Sequence, residues 1–411
     1  KDQKGPQLGV VFRNNTYFPV FRQGEKVILN CYVKDGVLAE PDVLHIRLSD
    51  WQRNLLEEKR IPVTPEMMKN AVDVDFTPAK AGCYFVDCSL EKSRISIPWE
   101  GSRPKGYVTF GILPEITPVP IGNAEESRFG MCGIVNVEKS KHAPVGTLLG
   151  IRWADHIFHP ARQEKKRGDL KELSKEDIEK IWAIPYDRSP IQILKSAAQA
   201  RIAPLTFMHG IPSQLLKLPE ALKGRSGQFN DAYIYNDPAW YRDLIGRMVR
   251  TTRNYRETKM NYMTHSRYLI HWEPDWVWRG TTDEFLQMYK DASEVIRKED
   301  PSGLLLGANY GVLANAVPRM RELFEKGLAQ YIRGVAVHLY FLPVSSLPED
   351  KNLHGNCREM RRLVDRYLGS GAPLMNTEWG ACVEKTLLVD HPVLVSHMMR
   401  FIRGHLIALG E

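Results

Sequence analysis

From about residue 129 onward, short apolar runs typical of strands alternate with long amphipathic stretches typical of helices. Strand–helix alternation predicts a parallel sheet, because each helix carries the chain back to the same edge of the sheet. The seven predicted strands are Phe129–Val135, Leu149–Trp153, Ile202–Met208, Tyr268–Glu273, Leu304–Asn309, Gly334–Tyr340 and Pro373–Glu378. Seven such strands over this length favour a (β/α)₈ TIM barrel, an α/β fold, over an open sheet.

The predicted barrel domain covers residues 127–411, and its eighth strand is not evident. The last predicted helix, Pro392–Leu409, is followed only by Gly410 and Glu411. We therefore expect either that the eighth strand lies beyond residue 411, so that the barrel is truncated, or that the strand count is off by one.

Residues 1–112 have a different pattern, in which short alternating or apolar runs are separated by turn residues at the spacing of a sandwich. The segment Ala81-Gly82-Cys83-Tyr84 precedes a predicted strand, and a tyrosine there can return its hydroxyl to the backbone, as in a tyrosine corner. We predict an immunoglobulin-like β-sandwich that precedes the barrel. Four residues, Pro114, Pro118, Pro120 and Gly122, make 113–126 a stiff Pro-rich linker.

The charge of the chain is mildly basic, with 56 Lys and Arg against 49 Asp and Glu. The excess belongs to the barrel, because 1–126 carries −1 and 127–411 carries +8. A basic face there would attract an acidic ligand, and the alternative is a solvated surface of mixed charge. No apolar run approaches the ~20 residues of a membrane span. We expect no nucleic-acid partner, since the net charge is far from that of a nucleic-acid-binding arm.

The six cysteines show no CxxC pair, which is the usual spacing of a metal or redox site. Cys31 and Cys88 lie in two predicted strands, so that they either bridge two sheets or remain buried free thiols.

Two glutamates stand at the predicted ends of strands, where catalytic residues of a barrel lie. Glu273 ends the fourth strand and Glu378 ends the seventh, each beside tryptophan. Two carboxylates that face each other across the barrel mouth are the groups that glycoside hydrolysis uses, and flat indole rings can stack on the C–H faces of sugars. The structural alternative is two surface glutamates in loops, with the tryptophans as packing residues.

These segments resemble glycoside hydrolase clan A, the retaining (β/α)₈ glycosidases, and in particular family 39 and its relatives. Trp272-Glu273-Pro274 resembles the acid/base motif of the clan, although Trp272 stands where the clan usually has Asn. Thr377-Glu378-Trp379-Gly380 resembles the nucleophile motif, and His338-Leu339-Tyr340 resembles the sixth strand, whose aromatic residue hydrogen-bonds the nucleophile. The strand-two segment Leu149-Gly150-Ile151-Arg152-Trp153 adds to the resemblance, which spans about 129–380.

The resemblance implies a retaining double-displacement mechanism in which Glu378 is the nucleophile and Glu273 the acid/base. The carboxyl groups of retaining enzymes lie ~5–5.5 Å apart, and those of inverting enzymes ~6.5–9.5 Å. Strand alternation predicts that His271 lies on the same face as Glu273, Asn376 on that of Glu378 and His338 on that of Tyr340.

The expected function is hydrolysis of a β-linked poly- or oligosaccharide without a cofactor or a metal. The basic barrel is a weak indication of uronic or sulfated sugars. The alternative is a catalytically silent glycan-binding barrel, and a metal-dependent hydrolase ranks third. The resemblance implies a secreted or periplasmic location. The expected substrate-binding residues are His209, Trp272, Asp275, Trp276, His338, Tyr340, Asn376 and Trp379.

Overall fold

A computed structural model describes residues 6–13, 19–95, 97, 107–114, 123, 124, 127, 130, 151–158, 190–211, 215–222, 231–340, 347–379 and 392–410. The chain divides into two compact units, Lys1–Pro118 with Cys382–Met398 and Val119–Ala381 with Met399–Glu411. Most of the predicted linker 113–126 and of the predicted strand Phe129–Val135 lies outside the described residues.

The described part of the first unit forms two sheets. One has the strand order β1-β3-β6 and the other the order β2-β8-β7-β4-β5. The strands are β1 (Gln7–Phe12), β2 (Val20–Arg22), β3 (Val27–Lys34), β4 (Asp42–Asp50), β5 (Leu55–Val63), β6 (Val72–Phe76), β7 (Gly82–Leu90) and β8 (Tyr107–Leu113). The Glu, Lys and Arg side chains of β5 are largely exposed and the strand has no apolar alternation, so sequence pattern alone does not predict it.

Alternate side chains of both sheets meet in one apolar core. Leu8 and Leu29 come from the three-stranded sheet, and Leu44 and Val86 come from the five-stranded sheet. A short helix, α1 (Pro65–Asn70), precedes β6, and the Thr64 side chain caps it by accepting from the backbone N–H of Met67. These contacts make the first unit a two-sheet sandwich.

The hydroxyl of Tyr84 donates to the backbone carbonyl of Lys80 at 2.5 Å, as the sequence predicts for a tyrosine corner. The Tyr84 ring also stacks on Phe110 of β8, with 5.2 Å between ring centroids. Cys31 and Cys88 are buried free thiols, and their mutual hydrogen bond together with burial raises the pKa of Cys88 well above its usual value.

Six parallel strands in sequential order form a curled sheet in the second unit. They are β9 (Trp153–Phe158), β10 (Ala203–Met208), β11 (Arg267–Leu269), β12 (Leu304–Val312), β13 (Gly334–Tyr340) and β14 (Leu374–Glu378). Gly130, in the first predicted strand, forms a parallel bridge with Trp153. Sequential parallel order with a filled interior is the arrangement of part of a barrel wall, so the six described strands form a half-barrel sheet.

Helices separate these strands, as the alternation predicts. They are α2 (Pro190–Ala200), α3 (Pro238–Lys259), α4 (Pro274–Val277), α5 (Thr282–Glu299), α6 (Leu313–Glu325), α7 (Leu353–Leu368) and α8 (Pro392–Gly410). Asp237 caps α3 by accepting from the N–H groups of Ala239 and Trp240. Thr281 caps α5, where it forms a reciprocal capping box with Glu284.

Two apolar clusters lie on opposite faces of the curled sheet. The inner cluster contains Leu205, Phe207, Leu269, Leu306 and Ala336, with Trp272 and Met375 packed against it. The outer cluster lies between the sheet and the helices that follow its strands. In the described parts of the chain, none of the helices has both the length and the apolar character that crossing a membrane requires.

Three predicted strands differ by more than one residue from the structure, and one of them, predicted at Leu304–Asn309, extends to Val312. The strand predicted at Leu149–Trp153 runs from Trp153 to Phe158, because its pairing with β10 begins only at Trp153. The strand predicted at Tyr268–Glu273 ends at Leu269, after which the chain turns toward α4. Glu273 therefore lies in a turn four residues beyond its strand.

We predict that Tyr84→Phe lowers the free energy of unfolding by about 1 kcal/mol, because it removes one buried hydrogen bond and keeps the ring stack on Phe110. Urea denaturation followed by fluorescence would measure this change. Tyr32→Phe, on the partly exposed face of β3, is the control. Equal stability of Tyr84→Phe and the parent protein would contradict a stabilising role for this bond.

Candidate active site

Glu273 adopts a left-handed backbone conformation, with φ 42° and ψ 61°, directly before Pro274 at the start of α4. Its N–H donates to the backbone carbonyl of Asn309 at 3.1 Å, which ties the turn to β12. A non-glycine residue with positive φ is strained, and such strain persists where neighbouring contacts hold it. The turn presents the Glu273 carboxylate at the C-terminal edge of the sheet.

Glu378 is the last residue of β14, and its Oε1 accepts a hydrogen bond from the Tyr340 hydroxyl at 3.0 Å. This is the contact that the sixth-strand motif predicts. A register shift in the pairing of β13 with β14 places Glu378 opposite His338. The shift interrupts the expected alternation along β14. Met375 packs against the inner cluster, whereas its neighbour Asn376 is exposed and does not lie on that face.

His338 contacts both glutamates. Its Nδ1 lies 3.0 Å from Glu273 Oε1 and 3.9 Å from Glu378 Oε2, and its side chain is fully buried. Because both oxygens are near one nitrogen, they are at most about 6.9 Å apart. An ionised carboxylate only accepts hydrogen bonds, so Nδ1 carries the proton when Glu273 is ionised.

Trp272 occupies the mouth of the curled sheet between two histidines. Its indole stacks on the His209 ring with 5.8 Å between centroids, and it meets the His338 ring edge-on at 5.0 Å. Phe207 of the inner cluster lies beneath it at 4.9 Å. Trp272 is the residue that departs from the clan motif. It packs against His338, which contacts both glutamates.

Asp231 anchors the turn that follows β10. Its carboxylate accepts from the N–H groups of Gly210 and Ile211, and it lies 3.3 Å from His209 Nδ1. Burial alone would raise the pKa of Asp231, but the hydrogen bond and charge of His209, with the backbone donors, hold that pKa below its usual 3.8.

His271 does not line the site, contrary to the prediction from strand alternation. The strand has ended before it, and its buried ring packs against Trp278 and Phe285. Its Nε2 lies 2.9 Å from the backbone carbonyl of Asp231, and burial lowers the pKa of His271.

Asp275 holds the end of β12 against α4. Its two carboxylate oxygens accept from the N–H groups of Gly311, at 2.9 Å, and Val312, at 3.2 Å. These contacts give Asp275 a positioning role at the turn that carries Glu273. Trp276 is half exposed beside it.

Trp379 packs on α8. Its ring stacks on His405 at 4.7 Å, and it lies so close to Gly404 that no Cβ fits there. The described contacts of Trp379 thus place it against the last helix, whereas those of Trp272 place it beside the glutamates.

Comparisons with known proteins report only distant likeness. No protein-family model matches the sequence, and no curated protein sequence matches it. Among solved structures, a glucosidase from Croceicoccus marinus has a TM-score of 0.43 and 15% identity, and the alignment covers 66% of this chain and 55% of that one. The β-glucuronidase 2 of Bacteroides uniformis has a TM-score of 0.39 and 13% identity over 98% of this chain and 44% of that one.

A β-glucuronidase from Ruminococcus gnavus is similar at a TM-score of 0.35 and 11% identity, over 97% of this chain and 58% of that one. The present chain thus spans about half the length of these proteins.

Sequence reasoning missed three residues that organise the site: Asp231, Asn309 and Gly311. Asn309 is buried, accepts from Glu273 N–H through its carbonyl, and accepts from the Thr377 hydroxyl through its side chain. It therefore links the segments that carry the two glutamates. A polar residue at the end of the fifth strand was a readable signal, whereas Asp231 follows no strand and gave none.

We predict that Asp231→Asn lowers the free energy of unfolding at pH 7 by about 2 kcal/mol, because an amide NH₂ would face a backbone N–H. A carboxylate with a lowered folded-state pKa stabilises above its unfolded pKa and loses that contribution as the pH falls through the folded value. The difference from the parent should therefore shrink below about pH 4.

Urea denaturation at pH 7, 5, 4 and 3 would measure the effect. Asp283→Asn, at an exposed ion pair with Lys326, is the matched control and should change little at any pH. A constant difference for Asp231→Asn across this pH range would contradict the contribution of its charge.

Proposed function

We propose that this protein is a glycoside hydrolase that cleaves a β-linked poly- or oligosaccharide by a retaining mechanism. The observation that supports this most is the contact of one buried histidine, His338, with carboxylates from two different parts of the sheet. The limit of about 6.9 Å between Glu273 Oε1 and Glu378 Oε2 is compatible with the ~5–5.5 Å carboxyl separation of retaining enzymes.

In this proposal Glu378 is the nucleophile. Its Oε1 is held by the Tyr340 hydroxyl, so the carboxylate has a fixed orientation when it attacks the anomeric carbon. The attack forms a glycosyl ester and releases the leaving group. A positioned nucleophile keeps the reacting atoms close and aligned, which lowers the entropic part of the barrier.

Glu273 is the proposed acid/base. It donates its proton to the glycosidic oxygen as the bond breaks, and then removes a proton from the water that hydrolyses the ester. His338 and the Asn309 carbonyl hold this residue through its carboxylate and its backbone N–H, respectively. The contacts therefore fix the acid/base at both ends.

The sugar is a separate part of the proposal. Among the described residues, the only basic side chain within ion-pair distance of Glu273 or Glu378 is that of His338. An acidic or sulfated substrate therefore rests on the basic excess of the second unit alone. We propose that the sandwich is immunoglobulin-like and serves as a structural domain. From the family resemblance we propose a secreted or periplasmic location.

We predict that Glu378→Ala lowers kcat by at least about 10⁴-fold, because no nucleophile remains to form the ester. Glu273→Gln should lower kcat/KM by about 10²–10⁴-fold on unactivated glycans. It should have a much smaller effect on aryl glycosides that need no protonation. Turnover of a panel of neutral and anionic β-glycans and 4-nitrophenyl β-glycosides would measure both effects.

Glu325→Gln, at an exposed position of α6, is the control and should retain the parent rate. Parent-level cleavage by both active-site variants would refute the assigned roles. Glycan binding without cleavage by the parent protein would favour the alternative of a catalytically silent binding barrel.

A further inference from the structure

We propose that Trp276 forms the binding surface for the leaving-group side of the substrate, and that the leaving group is a sugar ring. This inference rests on the proposed function, since it takes Glu273 to be the acid/base. It assigns to one side chain the part of the substrate beyond the cleaved bond.

Trp276 lies beside the proposed acid because Gly311 leaves room for both. A Cβ at Gly311 would lie 2.6 Å from Trp276 Nε1 and 2.7 Å from Glu273 Oε1. These two atoms are therefore at most about 5.3 Å apart, above a residue without a side chain. Cδ1 of the indole lies 2.9 Å from the same point, so the pyrrole edge of the ring borders Gly311.

The geometry is held by named contacts. The backbone N–H of Trp276 donates to the backbone carbonyl of Glu273 at 3.0 Å, within the turn that begins α4. Asp275 binds the N–H groups of Gly311 and Val312, which fixes β12 against that turn. The acid and the indole are thus parts of one turn, which Asp275 holds against Gly311 and Val312 of β12.

The exposure of Trp276 distinguishes it from a packing residue. It is 51% exposed. Its neighbour Trp278 is partly buried, packs on His271 and Phe285, and donates from its indole N–H to the Thr281 carbonyl. A large aromatic side chain that is held rigidly at its base and open to solvent is suited to stack on a ligand.

The chemistry decides which part of the ligand Trp276 meets. A general acid must lie within hydrogen-bond distance of the glycosidic oxygen, and the leaving group begins at that oxygen. Trp276 Nε1 lies within about 5.3 Å of Glu273 Oε1, close enough for the indole to contact a ring attached there. Trp276 borders β12, two strands from β14, whose last residue Glu378 would attack the glycon, so the ring it meets is that of the leaving group. A glycan therefore gains this contact, whereas a small leaving group does not.

The test compares two substrates that carry the same glycon, namely a β-linked disaccharide and the corresponding glycosyl fluoride. The glycon is the one that the panel above shows to be turned over best. Fluoride carries no ring and needs no proton from Glu273. We expect Trp276→Ala to lower kcat/KM for the disaccharide about tenfold or more and to leave the fluoride within twofold. Trp276→Phe should recover most of the loss, because it restores an aromatic face.

Trp51→Ala is the matched control, at a 60% exposed tryptophan of the first unit, and should leave both substrates unchanged. Equal losses on the two substrates, or no loss on the disaccharide, would overturn the assignment of Trp276 while the proposed function stands. Turnover of neither substrate by the parent protein, or Glu378→Ala turnover at the parent rate, would overturn the proposed function and this inference with it.

Discussion

His338 is the contact on which the proposed active site depends. The buried Nδ1 of His338 lies 3.0 Å from Glu273 Oε1 and 3.9 Å from Glu378 Oε2, so one imidazole sits between the two carboxyl groups. The Tyr340 hydroxyl adds a hydrogen bond to Glu378. Because His338 and Tyr340 lie on the same strand, two apart, one face of β13 supplies both contacts.

The rest of the arrangement keeps that face open and in place. Trp272 fills the space between His338 and His209, and Asp231 holds His209 through the turn after β10. On the other side, Asn309 contacts the backbone of Glu273 and the side chain of Thr377. The two glutamates are thus positioned from neighbouring turns, and not by their own strands alone.

The sixth and seventh strands show how much of such a site is readable from sequence. These strands, β13 and β14, end at Tyr340 and Glu378, as predicted. The apolar run of β13 is buried on both faces, as is usual in a parallel sheet, whereas β14 has the exposed Asn376. Strand four behaves differently. It ends at Leu269, so alternation no longer applies at His271, which packs outward, or at Glu273, which lies in a left-handed turn.

The roles of Gly311 and Asp231 come from contacts between segments that are distant in the sequence. Nothing local to Gly311 shows that a carboxylate and an indole meet above it. In the same way, the register shift between β13 and β14 depends on pairing, which an isolated strand sequence does not specify. Motif order was therefore enough to predict two glutamates that lie near one another in the structure, while the residues that position them required the fold.

The most direct test of the central claim is to trap the glycosyl ester. The protein would be incubated with 2-deoxy-2-fluoro glycosyl fluorides of several sugar configurations, which form the ester but hydrolyse it slowly, and its peptides would be examined by mass spectrometry. The account predicts one added glycosyl group, on Glu378, and none in Glu378→Ala. A glycosyl group on Glu273 or another residue, or turnover of these reagents with inversion and no adduct, would contradict it.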